Sequence, residues 1–166
     1  MHQYNECLMI RITALGRNHI LVADVLKAIG NVHGDMNNVS DALGRYREAV
    51  EIFASVNGPA DLSVGITVQK VGILQVRAGN LESGRLFLEQ AVDIYRQLGQ
   101  EYESNMVIPL VVVGNIHKMF EETNEAMLAW TNAYEICTKM EQLGSNLEIH
   151  QALTKLLHDR LSISQV

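Results

Sequence analysis

AVEIF at 49–53, AVDIY at 91–95 and AYEIC at 133–137 are one phrase written three times, each copy starting 42 residues after the last. A fixed period of about 20–50 residues is the signature of stacked structural repeats. The same step links Gly30, Gly72 and Gly114, then the small residues Ala42, Gly84 and Ala126, then the large ones Tyr46, Leu88 and Trp130. With Ala49, Ala91 and Ala133, and Ile52, Ile94 and Ile136, five columns keep one register, far beyond chance. Counted backward by the same step, Tyr46, Ile52 and Gly58 land on Tyr4, Ile10 and Gly16. The chain is therefore expected to open inside a repeat, with three full units and a trailing segment after it.

Within a unit the apolar spacing is helical. Leu26, Ile29 and His33 fall at i, i+3 and i+7, and Leu43, Tyr46, Ala49, Val50 and Phe53 continue the rhythm on a second segment. GDMNN at 34–38 and AGN at 78–80 supply turn chemistry between the two. Glycine and alanine fall where paired helices would approach closest, because a bulky side chain there would push the backbones apart. The fold class this predicts is all-α, an α-solenoid of antiparallel helix hairpins. Loops are expected near 34–38, 56–62, 78–80, 99–104, 121–123 and 143–147. Taking Asn105 as the cap of its helix, as Ser63 would be one period earlier, puts Pro109 in the first turn, where proline is tolerated. Pro59 is expected in a connector. Leu147, Leu153, Leu156, Leu157 and Leu161 repeat at roughly helical spacing and predict a capping helix over 147–161. The expected layout is a single domain over 1–166: the second helix of a partial repeat over 1–17, repeats over 18–58, 59–100 and 101–143, and a C-terminal capping segment over 144–166.

Composition bounds the function without naming it. The chain has 166 residues, 48% of them apolar, enough for a real core. A net charge of −6 with no basic run argues against nucleic acid, since phosphate binding needs clustered Lys and Arg. The longest apolar stretch, Val107–Val113, is far short of the ~20 residues of a membrane span, so no membrane insertion is expected. Glu6 and Arg11 occupy the place of a signal peptide's apolar centre. Cys7 and Cys137 have no metal spacing and read as reduced thiols, which points to a cytoplasmic setting.

The columns resemble a known family. [LIV]-G-x-x-[HYQ] followed by A-x-x-x-[large]-x-x-A, carried by Ile29, Gly30, His33, Ala42, Tyr46 and Ala49 and again by Val113, Gly114, His117, Ala126, Trp130 and Ala133, is similar to the tetratricopeptide repeat (TPR). The standard unit has about 34 residues; the longer unit here resembles the kinesin-light-chain subfamily, as does YNECLMIRITALGRNH at 4–19 with its LG-x-x-H connector. The resemblance covers nearly the whole chain.

The resemblance implies a non-catalytic interaction module that binds an extended peptide or a helix in a concave groove lined by the first helix of each pair. Counted from the glycine column, its positions are Asp24, Lys27, Asn31, Gly34 and Asp35 in the first unit and Ile66, Gln69, Ile73, Val76 and Arg77 in the second. The third supplies Ile108, Val111, Asn115, Lys118 and Met119. Two departures from the family matter. The asparagine expected three residues before the glycine is Lys27, Gln69 and Val111 here. Lys27 and Asn31 match one half of a carboxylate clamp, but Ile108 and Val112 stand in the other half. The apolar slots Ile66, Ile73, Ile108 and Val111 instead suggest an amphipathic helix or apolar peptide as partner. The expected partner-binding residues are Lys27, Asn31, Ile66, Gln69, Ile73, Ile108, Val111, Asn115 and Lys118. The alternative is a structural subunit or fragment of a larger array, associating through its ends or convex face. Leu8, Ile10 and Ile12 have no partner helix before them, which leaves self-association through that face open.

Other chemistry finds no support in the sequence. His33 and His117 share one column and read as hydrogen-bonded helix–helix histidines. Cys7 falls in the Ala49 column and Cys137 in the Phe53 column, and both read as small core residues. His150 and His158 have no acidic residue at metal spacing. Glu121 and Glu122 sit at a turn opening a helix, where carboxylates favour the dipole. No nucleophile–base pair, phosphate loop or metal set emerges, so no enzyme activity, cofactor or metal is expected.

Overall fold

The structure, a computed structural model, describes residues 2–142 together with 155, 157 and 158. Among the described residues it is helical with no strand. Seven helices follow in order: α1 His2–Leu15, α2 Ile20–Asp35, α3 Val39–Asn57, α4 Leu62–Arg77, α5 Leu81–Leu98, α6 Glu103–Met119 and α7 Thr123–Gln142, with a 3-10 turn at Gln100–Tyr102 before α6. The expected loops fall between these helices, apart from 143–147, which lies outside the described residues. The chain divides into two compact units, 1–90 and 91–166, with the boundary inside α5.

The three hairpin turns are one structure copied at the repeat period. Asn37, Gly79 and Glu121 each take a left-handed φ, of 59°, 84° and 63°. The amide after each donates back to the helix, Asn38 to the His33 carbonyl at 2.8 Å, Asn80 to Gln75 at 2.9 Å and Glu122 to His117 at 2.9 Å. This six-to-one bond with a left-handed residue is the Schellman stop, which satisfies the last carbonyls of a helix and reverses the chain.

The column logic holds atom by atom. A Cβ on Gly30 would sit 2.7 Å from the Tyr46 ring, and one on Gly72 would sit 2.7 Å from Leu88. In the second unit a Cβ on Gly114 would run into the Trp130 indole. Gly84 repeats the arrangement in reverse, its missing Cβ lying 2.5 Å from Val76. Gly72 meets Leu88 and, one turn on, Val76 meets Gly84, so the pairing is antiparallel. Each large residue packs on a backbone stripped of its side chain.

Two helix starts differ from expectation. The cap of α4 is Asp61, whose Oδ1 accepts from the Ser63 amide at 2.8 Å, rather than Ser63 itself. The start of α6 lies at Glu103 after the 3-10 turn, with no side-chain cap on Tyr102. Pro109 therefore stands at the seventh helical position, in the interior, and is buried. There it withholds the amide that Asn105 would otherwise accept. Its column explains the tolerance: Val25, Thr67 and Pro109 are all buried, so the position is chosen for packing. Pro59 lies in the connector between α3 and α4, as expected.

Cys137 is fully buried, but Cys7 is only half-buried, because α1 has no buried residue at all. Of the expected C-terminal helix, Lys155, Leu157 and His158 are described and helical. Leu157 is fully buried, and the His158 ring lies 6.3 Å from that of Tyr134. The remainder of 147–161 lies outside the described residues.

Candidate functional site

In unit 1 residues of α2 and α4, several of them half-buried, border a pocket of about 330 Å³. Asn31, Gly34 and Asp35 come from α2, and Ile73 and Arg77 from α4. These five were assigned to the groove by counting from the glycine column, and the fold brings them together. The pocket also takes Lys70 and Leu74 from α4 and the hydroxyl end of Tyr46 from α3.

The polar groups are held in place. The Tyr46 hydroxyl donates to Asn31 Oδ1 at 2.8 Å, which fixes the amide and leaves its nitrogen as a donor. Burial, with the Asp35 carboxylate nearby, pushes the Tyr46 phenol up to about 12, so it stays protonated and keeps that bond. Arg77 reaches back toward the Gly34 carbonyl at 3.5 Å. Lys70 makes no ion pair among the described residues. Two cations and one carboxylate thus face the cavity, in a chain whose net charge is −6.

The remaining expected residues divide. Lys27 lies outside this pocket: its ammonium is 3.1 Å from Asp24 Oδ1 and 5.0 Å above the Phe53 ring, so its charge is already engaged. Ile66 and Gln69 are half-buried on α4. In unit 2, Ile108 is 48% exposed, Lys118 and Met119 are exposed, and Asn115 is half-buried. Val111 is 8% exposed and offers a partner almost no surface. The turn from Ile108 to Val111 carries the chain from the open side of α6 to its packed side.

Sequence reasoning missed Lys70 and the Tyr46 hydroxyl. Lys70 stands one turn from Ile66 and Ile73, so a wider stripe on α4 would have included it. Tyr46 was read as a core residue, which its ring is; only the oxygen emerges.

The histidines split as well. His117 Nδ1 lies 2.6 Å from Glu122 Oε2 across the turn, a bonded helix-end histidine as expected. His33 Nδ1, expected to be hydrogen-bonded, has no hydrogen bond among the described residues, with Asp41 Oδ2 at 3.7 Å. Among the described residues no cluster of three or more His, Cys, Asp or Glu is placed to hold a metal, and no helix is long and apolar enough to cross a membrane.

No family model matches the chain. It is similar to a TPR repeat-containing protein of Dictyostelium discoideum, 27% identical over 105 residues, which is 63% of this chain and 6% of that protein. Among solved structures it is similar to BtubC (BKLC) from P. vanneervenii, at TM-score 0.77 and 18% identity, over 83% of this chain and 55% of that one. The chain thus spans little more than half of the one and a small fraction of the other. The resemblance to TPR proteins read from the columns is borne out, and the fold class is the helical-hairpin solenoid.

Proposed function

We propose that the chain is a non-catalytic protein-interaction module that binds an extended peptide or amphipathic helix over the first helices of its pairs, α2 and α4 above all. One observation carries this reading: groove positions from two repeats converge on a single cavity in unit 1, with Ile73 and Leu74 as apolar floor and Asn31, Lys70 and Arg77 as donors. Such a site, a small number of oriented polar groups beside an apolar wall, suits a peptide that presents one acidic or polar side chain next to an apolar one. The exposed Ile108 and Lys118 of unit 2 offer the same chemistry on α6.

A random peptide library displayed on phage and selected against the chain tests it. Selected peptides should bind the parent and lose at least about tenfold, or 1.4 kcal/mol, with Ile73→Asp. The helical circular-dichroism signal and melting temperature of that half-buried variant should stay near the parent's. Unchanged binding by a folded Ile73→Asp chain would move the interaction to the second helices or to α1, and the structural-subunit reading would replace this one.

A further inference from the structure

We propose that the cleft between the second helices α3 and α5, with α4 at its base, docks a partner segment that inserts one aromatic ring and sets a neighbouring carboxylate on Arg47. A cavity of about 210 Å³ lies there, and every residue lining it belongs to unit 1. The buried Val68 and Val71 come from α4, the half-buried Leu43 and Val50 from α3, and the half-buried Phe87 from α5. At 3.6 residues per turn, Val68, Val71 and Gln75 share one face of α4, opposite the face of Ile66, Lys70, Ile73 and Arg77. The cleft is thus separate from the cavity that Asn31 and Ile73 border, and the two sites stand independently.

The repeat does not account for this chemistry. Phe87 stands in register with Arg45 and Ala129, and Arg47 stands in register with Glu89 and Thr131. Stacking therefore asks for neither an aromatic ring nor a cation at these places. Leu43 and Phe87 pack against the cluster of Ala42, Tyr46, Val71 and Leu74, yet each keeps part of its surface open.

The polar groups narrow the occupant. Arg47 is exposed and makes no ion pair among the described residues, whereas Arg45, Arg85 and Arg96 each pair with a carboxylate of their own helix. Gln75 is oriented by its neighbour: its Oε1 accepts from Asn80 Nδ2 at 2.8 Å, which leaves its amide nitrogen to donate. No carboxylate lines the cavity, in a chain whose net charge is −6. A cation and a held donor complement a carboxylate, which only accepts. Size narrows the occupant further. An apolar cavity of about 150 Å³ holds a benzene-sized molecule, while sites for whole small ligands begin near about 300 Å³. The cleft fits one ring carried by a larger partner.

The probe is the tetrapeptide Gly-Phe-Asp-Gly, acetylated and amidated, titrated into the methyl-labelled chain and followed by NMR. Methyl signals of Leu43, Val50, Val68 and Val71 should move along one binding curve, with those of Ile73 unmoved. Asn in place of the peptide's Asp should weaken binding about fivefold, and Arg47→Gln should weaken the parent peptide by the same factor. The two changes together should cost no more than either alone, because they remove one interaction. Ala in place of the peptide's Phe should weaken binding at least about tenfold. Four results would overturn the proposal. The cleft methyls stay still; the Asn and Arg47→Gln losses multiply; free phenylpropionate binds as tightly as the peptide, which makes this a small-carboxylate site; or the same methyls move on concentrating the chain alone, with a dimer in sedimentation.

Discussion

At the residue scale the glycines separate into two kinds, and substitution tells them apart. Alanine at Gly44, which has nothing within 4 Å of its missing Cβ and lies inside α3, should stabilise by about 0.5–1 kcal/mol through helix propensity. Alanine at Gly30 or Gly114 gains the same propensity but drives a methyl into a buried ring, an overpacking that costs about 1–3 kcal/mol. Sterics should win, and urea midpoints should move in opposite directions for the two kinds. The turn column offers a third case. Glu121 holds a left-handed φ that Gly79 adopts freely, so Glu121→Gly should stabilise by about 1 kcal/mol and Gly79→Glu should destabilise by a similar amount. The packing columns were legible because sterics leave no choice at a helix crossing. The turn column was not, since Asn, Gly and Glu share a conformation without sharing chemistry. Tyrosine ionisation gives a further check. Burial pushes both Tyr46 and Tyr95 up from 10 to about 12. Their folded values lie above the unfolded one, so the neutral phenols favour the fold. That contribution is whole below pH 10 and is lost as pH climbs toward 12, by about 3 kcal/mol per tyrosine at most. A plot of denaturant-derived stability against pH should fall across that window, and Tyr46→Phe should flatten part of the fall.

At the element scale, helix ends were less legible than helix faces. The start of α6 lies at Glu103 because a 3-10 turn at Gln100–Tyr102 leads into it, and nothing in the cap chemistry announces that turn. Pro109 consequently stands inside the helix. Its column accepts Val25 and Thr67, so Pro109→Val fits the same space and restores the amide that Asn105 can accept. Against a proline cost of about 3 kcal/mol in a helix interior, a net gain of roughly 1–2 kcal/mol should remain. A lower melting temperature would show that the ring packs better than its backbone penalty implies. Leu157 tests the C-terminal segment in the same way: it is fully buried, so Leu157→Ala should cost about 2–5 kcal/mol. A variant that melts like the parent would remove Leu157 from the core. The α1 helix departs from the sequence reading, which put Cys7 in a core column and left Leu8, Ile10 and Ile12 without a preceding partner: Ile10 is exposed, Cys7 is half-buried, and Leu8 and Ile12 line a cavity with Val22 and Leu26.

At the scale of the whole molecule, the period determines the fold, and positions that vary against it, Asn31 and Ile73 among them, line the cavity of unit 1. The glycine, alanine and isoleucine columns are constant along the chain, while the stripe flanking each glycine runs from Asp24, Lys27 and Asn31 to Ile66, Ile73 and Ile108. Stacking gives no reason for that change; the proposed partner recognition would. The α2 and α4 positions were legible because they face one cavity; Val111 was not, since period alone cannot say where a helix turns from its open side to its packed one. The most direct test is amide chemical-shift mapping of a selected peptide on the isotope-labelled chain. Perturbations should concentrate at Asn31–Asp35 and Lys70–Arg77. Perturbations confined to the outer stripes of α3 and α5, or to α1, with Asn31 and Ile73 unmoved, would contradict the account.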